Sequence, residues 1–164
     1  MLPVGHFHVV FTMPAQLRPL AATHPRILYE LLMRSAGEVL KTLGREVLGG
    51  RLGITLVLHT WTRGLLLHPH VHCIVSGGAL ADDGGRWVPS RTGYLFPVRR
   101  LAAMFRGRML SGLVGALDRG EAALPAGTSR HGLLRRLNRR RWVVYAKRPF
   151  GRVEHLVRYL GRYT

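Results

Sequence analysis

The segment Leu67-His68-Pro69-His70-Val71-His72-Cys73 constrains this chain more than any other. In an extended strand, side chains two apart share a face, so His70 and His72 point one way and Val71 the other. His68 joins that face if the strand is regular through Pro69. Just upstream, Ile54 to Trp61 is a second run rich in β-formers. Between the two, Arg63-Gly64-Leu65-Leu66 places Gly at the first central position of a two-residue loop, which fits a type II′ hairpin turn. That loop pairs Arg63 with Leu66, sets Trp61 opposite His68 and sets His59 opposite His70. A turn one residue longer would carry His59 to the other face. Pro69 cannot donate to a ladder and favours an edge or the start of a strand.

Two imidazoles on one rigid face form half of a site for a divalent metal, and His59 across the hairpin is placed to be the third ligand. His155 and Glu154 are the next candidates for that position, and His6 and His8 on the first strand are weaker candidates, more often ordinary strand histidines. H-x-H spacing also occurs as paired strand histidines with no metal. Structural zinc sites favour closed ligation by cysteines, and the chain has a single one, Cys73. A three-ligand site with open positions fits a catalytic metal better. The same lone cysteine excludes an internal disulfide framework and points to a cytoplasmic setting.

Around the hairpin, Val4 to Phe11 reads as a strand stopped by Pro14. His24 to Leu43 reads as an amphipathic helix capped by Thr23. Gly77, Gly78 and Asp82 to Gly85 mark a loop, and Arg86 to Pro97 holds one or two short strands. Val98 to Leu117 is a second amphipathic helix, His131 to Asn138 a short basic one, Trp142 to Ala146 a strand ended by Pro149, and Val153 to Tyr163 a last helix. This order predicts an α+β domain with a central antiparallel sheet carrying the H-x-H strand and helices flanking it. The length of 164 residues and the absence of a linker predict one domain over residues 1–164. No apolar run approaches the roughly 18 residues of a membrane span.

Charge then narrows the partner. The formal net charge is +17, and 23 of the 25 basic residues are Arg. Such an excess argues for a polyanion, and planar guanidinium groups suit phosphates. A GC-rich coding bias explains an Arg-to-Lys ratio but not a shortage of acids. Eleven basic residues and one acid, Glu154, fall between Arg130 and Thr164, a net +10. Arg135, Arg136, Arg139, Arg140 and Arg141 run into Trp142 and Tyr145, with Lys147 and Arg148 beyond. Basic residues interleaved with aromatics grip single strands, phosphates by charge and bases by stacking. The bland counterpart is a solvated basic face beside core aromatics. No basic amphipathic anchor appears, so a membrane partner is not expected.

Near the end of the sequence, Tyr159 and Tyr163 lie four apart on one helical face, with Arg158 and Arg162 beside them to favour a phenolate. Tyrosines at that spacing are as a rule core or rim residues. The combination with the histidines, however, resembles a family. His70-Val71-His72 matches the histidine motif of the HUH endonucleases. Tyr159-Leu160-Gly161-Arg162-Tyr163-Thr164 is similar to the tyrosine motif of the two-tyrosine rolling-circle transposases of bacterial insertion sequences. Further blocks resemble that family in order: His6 to Pro14, His59 to Trp61, His68 to Gly78, Leu95 to Leu110 and Trp142 to Gly151. Family members continue past the tyrosines and carry an N-terminal cysteine-rich segment, so this chain is expected to be a copy truncated at the C-terminus.

The resemblance implies a metal-dependent tyrosine DNA nickase and strand transferase. His70 and His72 with a third ligand would hold Mg²⁺ or Mn²⁺, imidazole ligation leaning toward Mn²⁺. Tyr159 or Tyr163 would attack a phosphate of single-stranded DNA, at insertion-sequence ends or in target DNA, giving a 5′-phosphotyrosine and a free 3′-OH. Arg135, Arg136, Arg139, Arg140, Arg141, Trp142, Lys147, Arg148, Arg158 and Arg162 would hold the strand. No ATP is needed and no Walker motif is present. Such a protein would work in the bacterial cytoplasm at the nucleoid. The alternative is a catalytically inactive transposase remnant or a basic nucleic-acid-binding module.

Overall fold

A computed structural model describes residues 4–62 and 64–150. Five antiparallel strands form one sheet in the order β2-β3-β1-β5: β1 is His6–Thr12, β2 Gly50–Trp61, β3 Leu67–Ala81 and β5 Val144–Phe150. The short β4, Trp87–Pro89, pairs with the end of β3. The helices are α1 (Arg18–Thr23), α2 (Pro25–Leu48), α3 (Val98–Asp118) and α4 (Arg130–Arg139). This is the α+β architecture expected, with the H-x-H strand inside the sheet between β2 and β1.

The alternation of β1 and β3 decides which face the helices cover. Phe7, Val9, Phe11, Val71, Cys73 and Val75 are buried against α2 and α3. α2 contributes Leu28, Leu32, Val39, Leu40 and Leu43, spaced to form one helical stripe, and α3 contributes Leu101, Phe105, Met109 and Leu113. Each such side chain stabilises the fold by about 1.5–3 kcal/mol relative to leaving it in water. The two helices approach closely at Gly112, where any Cβ would run into the Leu31 side chain. The residues in between, His6, His8, Val10, His70 and His72, therefore point to the opposite face of the sheet.

Several local expectations change. Thr23 ends α1 instead of capping α2: its hydroxyl donates to the Leu20 carbonyl at 3.2 Å, and His24 occupies the cap position. α2 runs through Gly44, which packs against Leu52, and stops at Gly49, whose left-handed backbone (φ 64°) suits glycine. Gly77 and Gly78 are strand, not loop, because the edge of the Trp87 indole covers Gly78 where a side chain would stand. Pro149 does not end β5, the outermost described strand on its side, where a missing N–H is tolerated. The helix expected over residues 153–163 lies outside the described residues.

Candidate metal centre

The β2–β3 hairpin places the histidines by two irregularities that cancel. Its turn is one residue longer than Gly64-Leu65 alone: Thr62 N–H donates to the Leu66 carbonyl at 2.9 Å, and Leu65 N–H to the Thr62 carbonyl at 3.0 Å. Leu65 takes the left-handed conformation (φ 56°), as at the third position of a three-residue loop. Trp61 accordingly pairs with Leu67, not His68. Taken alone, that shift would carry His59 to the helix-covered face. A second register shift between His59 and Trp61 restores it, because β3 fits one extra residue there, around His68-Pro69. His59 ends opposite His70, as the simpler count expects.

His59, His70 and His72 each offer a ring nitrogen, and these three atoms lie within 4.8 Å of one another. Their rings are 4.5 Å (His59–His72), 4.9 Å (His70–His72) and 5.4 Å (His59–His70) apart at the centroids. Three imidazoles from two adjacent strands fit a divalent transition ion and leave coordination positions for water or substrate.

Hydrogen bonds assign the protons around this cluster. His70 Nδ1 lies 2.6 Å from the His68 carbonyl oxygen, which only accepts, so Nδ1 carries the proton and Nε2 keeps its lone pair for a metal. Arg18 Nη2 donates to His68 Nδ1 at 2.9 Å; a guanidinium cannot accept, so the neutral His68 ring carries its proton on Nε2. His68 thus has no lone pair left for an ion. His8, from β1, reaches His72: Nε2 and Nδ1 are 2.7 Å apart and the rings stack at 5.0 Å. In the tautomer that carries the proton of this pair on His72 Nδ1, His72 presents Nε2 as a ligand.

Burial favours the neutral form of His72, His8, His59 and His68. Burial, then the neighbouring His59, His70 and His8, lowers the His72 pKa to about 3. Burial, then Lys147, lowers that of His8 to about 4. His59 and His68 are lowered too, by burial first and then by His70. A neutral imidazole is the form that ligates metal.

The expected nucleic-acid contacts divide. Arg135, Arg136, Arg139, Arg140 and Arg141 are all exposed, on α4 and just after it. Trp142 is a correction: it is only 3% exposed, its Nε1–H donates to the Leu137 carbonyl at 2.9 Å and its ring meets Phe105 edge-on, so it has no face for a base. Tyr145, by contrast, keeps an open ring face. It is 52% exposed on the histidine side of β5, opposite Val10, with Lys147 Nζ 5.9 Å above its ring. Lys147 sits opposite His8. Arg148 belongs to β5, but its side chain lies outside the described residues, as do Tyr159, Tyr163, Arg158, Arg162, Glu154 and His155. Sequence reasoning holds His8 only as a weaker candidate ligand, not as a partner of His72, and misses Arg18. Among the described residues, no helix is long and apolar enough to cross a membrane.

Comparison with known proteins places these features in context. Residues 53–164 match the family model Y2_Tnp, described as "Putative transposase". The chain is 38% identical over 173 residues to "Putative transposase y4qJ" of Sinorhizobium fredii (strain NBRC 101917 / NGR234), an alignment covering 100% of this chain and 44% of that protein. It is 40% identical over 80 residues to the transposase for insertion sequence element IS801 of Pseudomonas savastanoi pv. phaseolicola, covering 49% of this chain and 19% of that one. The chain thus spans less than half the length of these curated relatives. The conjugative relaxase TrwC, in complex with mutant OriT DNA, superposes with a TM-score of 0.55 at 16% identity over 79% of this chain and 53% of the relaxase. Its metal-free OriT complex gives 0.54 at 13% identity over 95% and 71%. These likenesses establish a relaxase-like HUH endonuclease fold.

Proposed function

The chain belongs to the Y2_Tnp transposase family, and we propose that it is a metal-assisted tyrosine endonuclease and strand transferase of rolling-circle DNA transposition, one catalytic domain over residues 1–164. The observation that carries this reading is the convergence of His59, His70 and His72 nitrogens within 4.8 Å on the face of a relaxase-like sheet opposite α2 and α3. TrwC is known in complex with OriT DNA and in a metal-bound form, which supports a DNA partner and a metal for this chain as well.

His59, His70 and His72 would hold the ion, with Mn²⁺ the better match to imidazole donors and Mg²⁺ the alternative. When bound, the divalent ion withdraws charge from a phosphate oxygen and so eases attack at phosphorus. The protein supplies the rest. His68 O fixes the rotamer and tautomer of His70, and His8 holds the ring of His72 in place. Tyr159 or Tyr163 is the nucleophile: its phenolic oxygen bonds to phosphorus as the bond from phosphorus to the 3′ oxygen breaks. The phenolic proton passes to the leaving 3′-OH by way of solvent. Arg158 and Arg162 favour the phenolate. The bond count is unchanged, so the 5′-phosphotyrosine conserves the energy for a later transfer without ATP. Two tyrosines allow two successive transfers, one at an insertion-sequence end and one in target DNA. Arg135, Arg136, Arg139, Arg140, Arg141, Lys147 and Arg148, with Tyr145 stacking on a base, hold the single strand.

The test is a denaturing gel with a labelled single-stranded oligonucleotide carrying an insertion-sequence end and Mn²⁺. A metal-dependent protein–DNA adduct is expected in the wild type and absent from the Tyr159→Phe, Tyr163→Phe double variant. An adduct that survives the double change overturns the choice of nucleophiles. Retarded bands on native gels alone, with no adduct, would mark a binding module without chemistry.

A further inference from the structure

A second feature, away from the histidines, has the chemistry of a polyanion site. Between the first half of α3 and the segment leading into β5 lies an open groove of about 420 Å³. Arg99 and Arg106 line it from α3, and Arg140 and Arg141 from the other wall. Its floor is apolar, and Val98 and Val143 stand 38% and 60% exposed beside the guanidinium groups. Among the described residues, no carboxylate lines it.

The distribution of acids makes this charge available. Among the described residues, salt bridges join Glu30, Glu38, Glu46, Asp118 and Glu121 to Arg26, Lys41, Arg100, Arg130 and Arg119, and none of them involves a groove arginine. Arg106 is steadied by its bond to the Asn138 carbonyl at 3.1 Å. α3 adds the positive end of a 21-residue helix, with no acid in its first turn and no side-chain cap.

The sheet ties the groove to the metal centre. Thr12 pairs with His70 on one side, and its N–H donates to the Val143 carbonyl on the other at 3.1 Å. Two strand spacings, about 10 Å, therefore separate the His70 backbone from the groove wall.

We propose that this groove is a track for single-stranded DNA flanking the reacting phosphate, its arginines on successive phosphates and its valines against sugars and bases. An unpaired strand can press bases into an apolar floor, whereas a duplex offers such a surface only its phosphates. The proposal rests on the DNA partner of the proposed function and shares Arg140 and Arg141 with it, while Arg99, Arg106 and the valines are its own. Its test uses neither metal nor cleavage, so the two can fail separately.

The experiment is fluorescence anisotropy of a labelled oligothymidylate against the full chain across a salt series. Arg99→Gln, Arg140→Gln, Arg141→Gln forms the test variant. Arg45→Gln, Arg86→Gln, Arg91→Gln, an equal charge loss at exposed positions elsewhere, is the control. The test variant should bind at least tenfold more weakly and lower the log–log salt slope by about 2, from roughly 0.7 per lost phosphate contact on a single strand. The control should stay within about twofold with its slope unchanged, as a non-specific loss of charge would not predict. Equal losses in both variants, with unaltered circular dichroism, would overturn the groove. A larger loss for duplex DNA or oligouridylate than for oligothymidylate would overturn its assignment to single-stranded DNA.

Discussion

Arg18 donates a hydrogen bond to His68 Nδ1 at 2.9 Å, and that one contact removes His68 from the metal ligands although it belongs to the same short histidine run as His70 and His72. The donor has no lone pair, so the imidazole proton must sit on Nε2. Metal affinity should follow this division. His70→Ala, His72→Ala and His59→Ala should each weaken Mn²⁺ binding by more than the roughly 10–100-fold typical of an outer-sphere partner. His68→Ala should leave it within a few-fold. Isothermal titration calorimetry on the four variants distinguishes the sets, and loss in His68→Ala equal to that in His59→Ala would contradict the tautomer argument.

His8 illustrates the outer sphere itself. Its Nε2 lies 2.7 Å from His72 Nδ1, and its ring stacks on that of His72. It thereby orients a ligand without being one of the three converging nitrogens. His8→Phe, which keeps a ring but removes the hydrogen-bonding nitrogen, should reduce Mn²⁺ affinity by about 10–100-fold. His8→Gln keeps an acceptor and should recover part of that loss. Unchanged affinity in His8→Phe would show that His72 needs no orienting partner.

How much of this centre was readable in the residues can be judged from the same positions. The period of two in His70-Val71-His72 is intrinsic to a strand and needs no tertiary information. His59 was reachable only by counting back from the turn. That count assumed a two-residue loop and an unbroken ladder, and the structure departs from both: the longer turn at Thr62 to Leu66 and the extra residue near Pro69 offset one another. Pro69, without an N–H, is the visible sign of the interruption in the ladder there. His8 was out of reach because its role depends on β1 lying beside β3, which is a matter of strand order. Arg18 belongs to a six-residue helix too short to show a period. The basic run before β5 announced its charge but not that Trp142 would turn inward, since the indole's partner, the Leu137 carbonyl, is a backbone group.

Proton linkage follows from the buried imidazoles. In the metal-free protein, burial pushes His8 and His72 down to about 4 and about 3, below the ordinary histidine value of 6.5. An unfolded chain therefore takes up protons below about pH 6.5 that the folded chain refuses, and the unfolded state gains as pH falls. Their contribution is fully present above about pH 6.5 and is lost progressively toward pH 4. The melting temperature should fall between about pH 7 and pH 5, before most carboxylates titrate. His8→Phe removes one of the two groups and should flatten that slope. A melting temperature independent of pH across this range would show that the two rings do not resist protonation.

Trp142 separates packing from nucleic-acid recognition at a single residue. It is 3% exposed, bonded through Nε1 to Leu137, and its ring meets Phe105 at 5.4 Å, which itself packs on Phe11 at 4.9 Å. Trp142→Ala should therefore destabilise the fold by about 3–5 kcal/mol. Trp142→Phe keeps most of the buried ring, loses the Leu137 bond and should cost less. Tyr145→Ala, at an exposed position, should alter stability by no more than about 0.5 kcal/mol. Binding should show the reverse order. Tyr145→Ala loses a stacking contact of about 1–3 kcal/mol per base, while correctly folded Trp142→Phe binds oligothymidylate as the wild type does. Urea denaturation and anisotropy on the same three proteins read both quantities, and tighter dependence of binding on Trp142 than on Tyr145 would return the indole to the DNA surface.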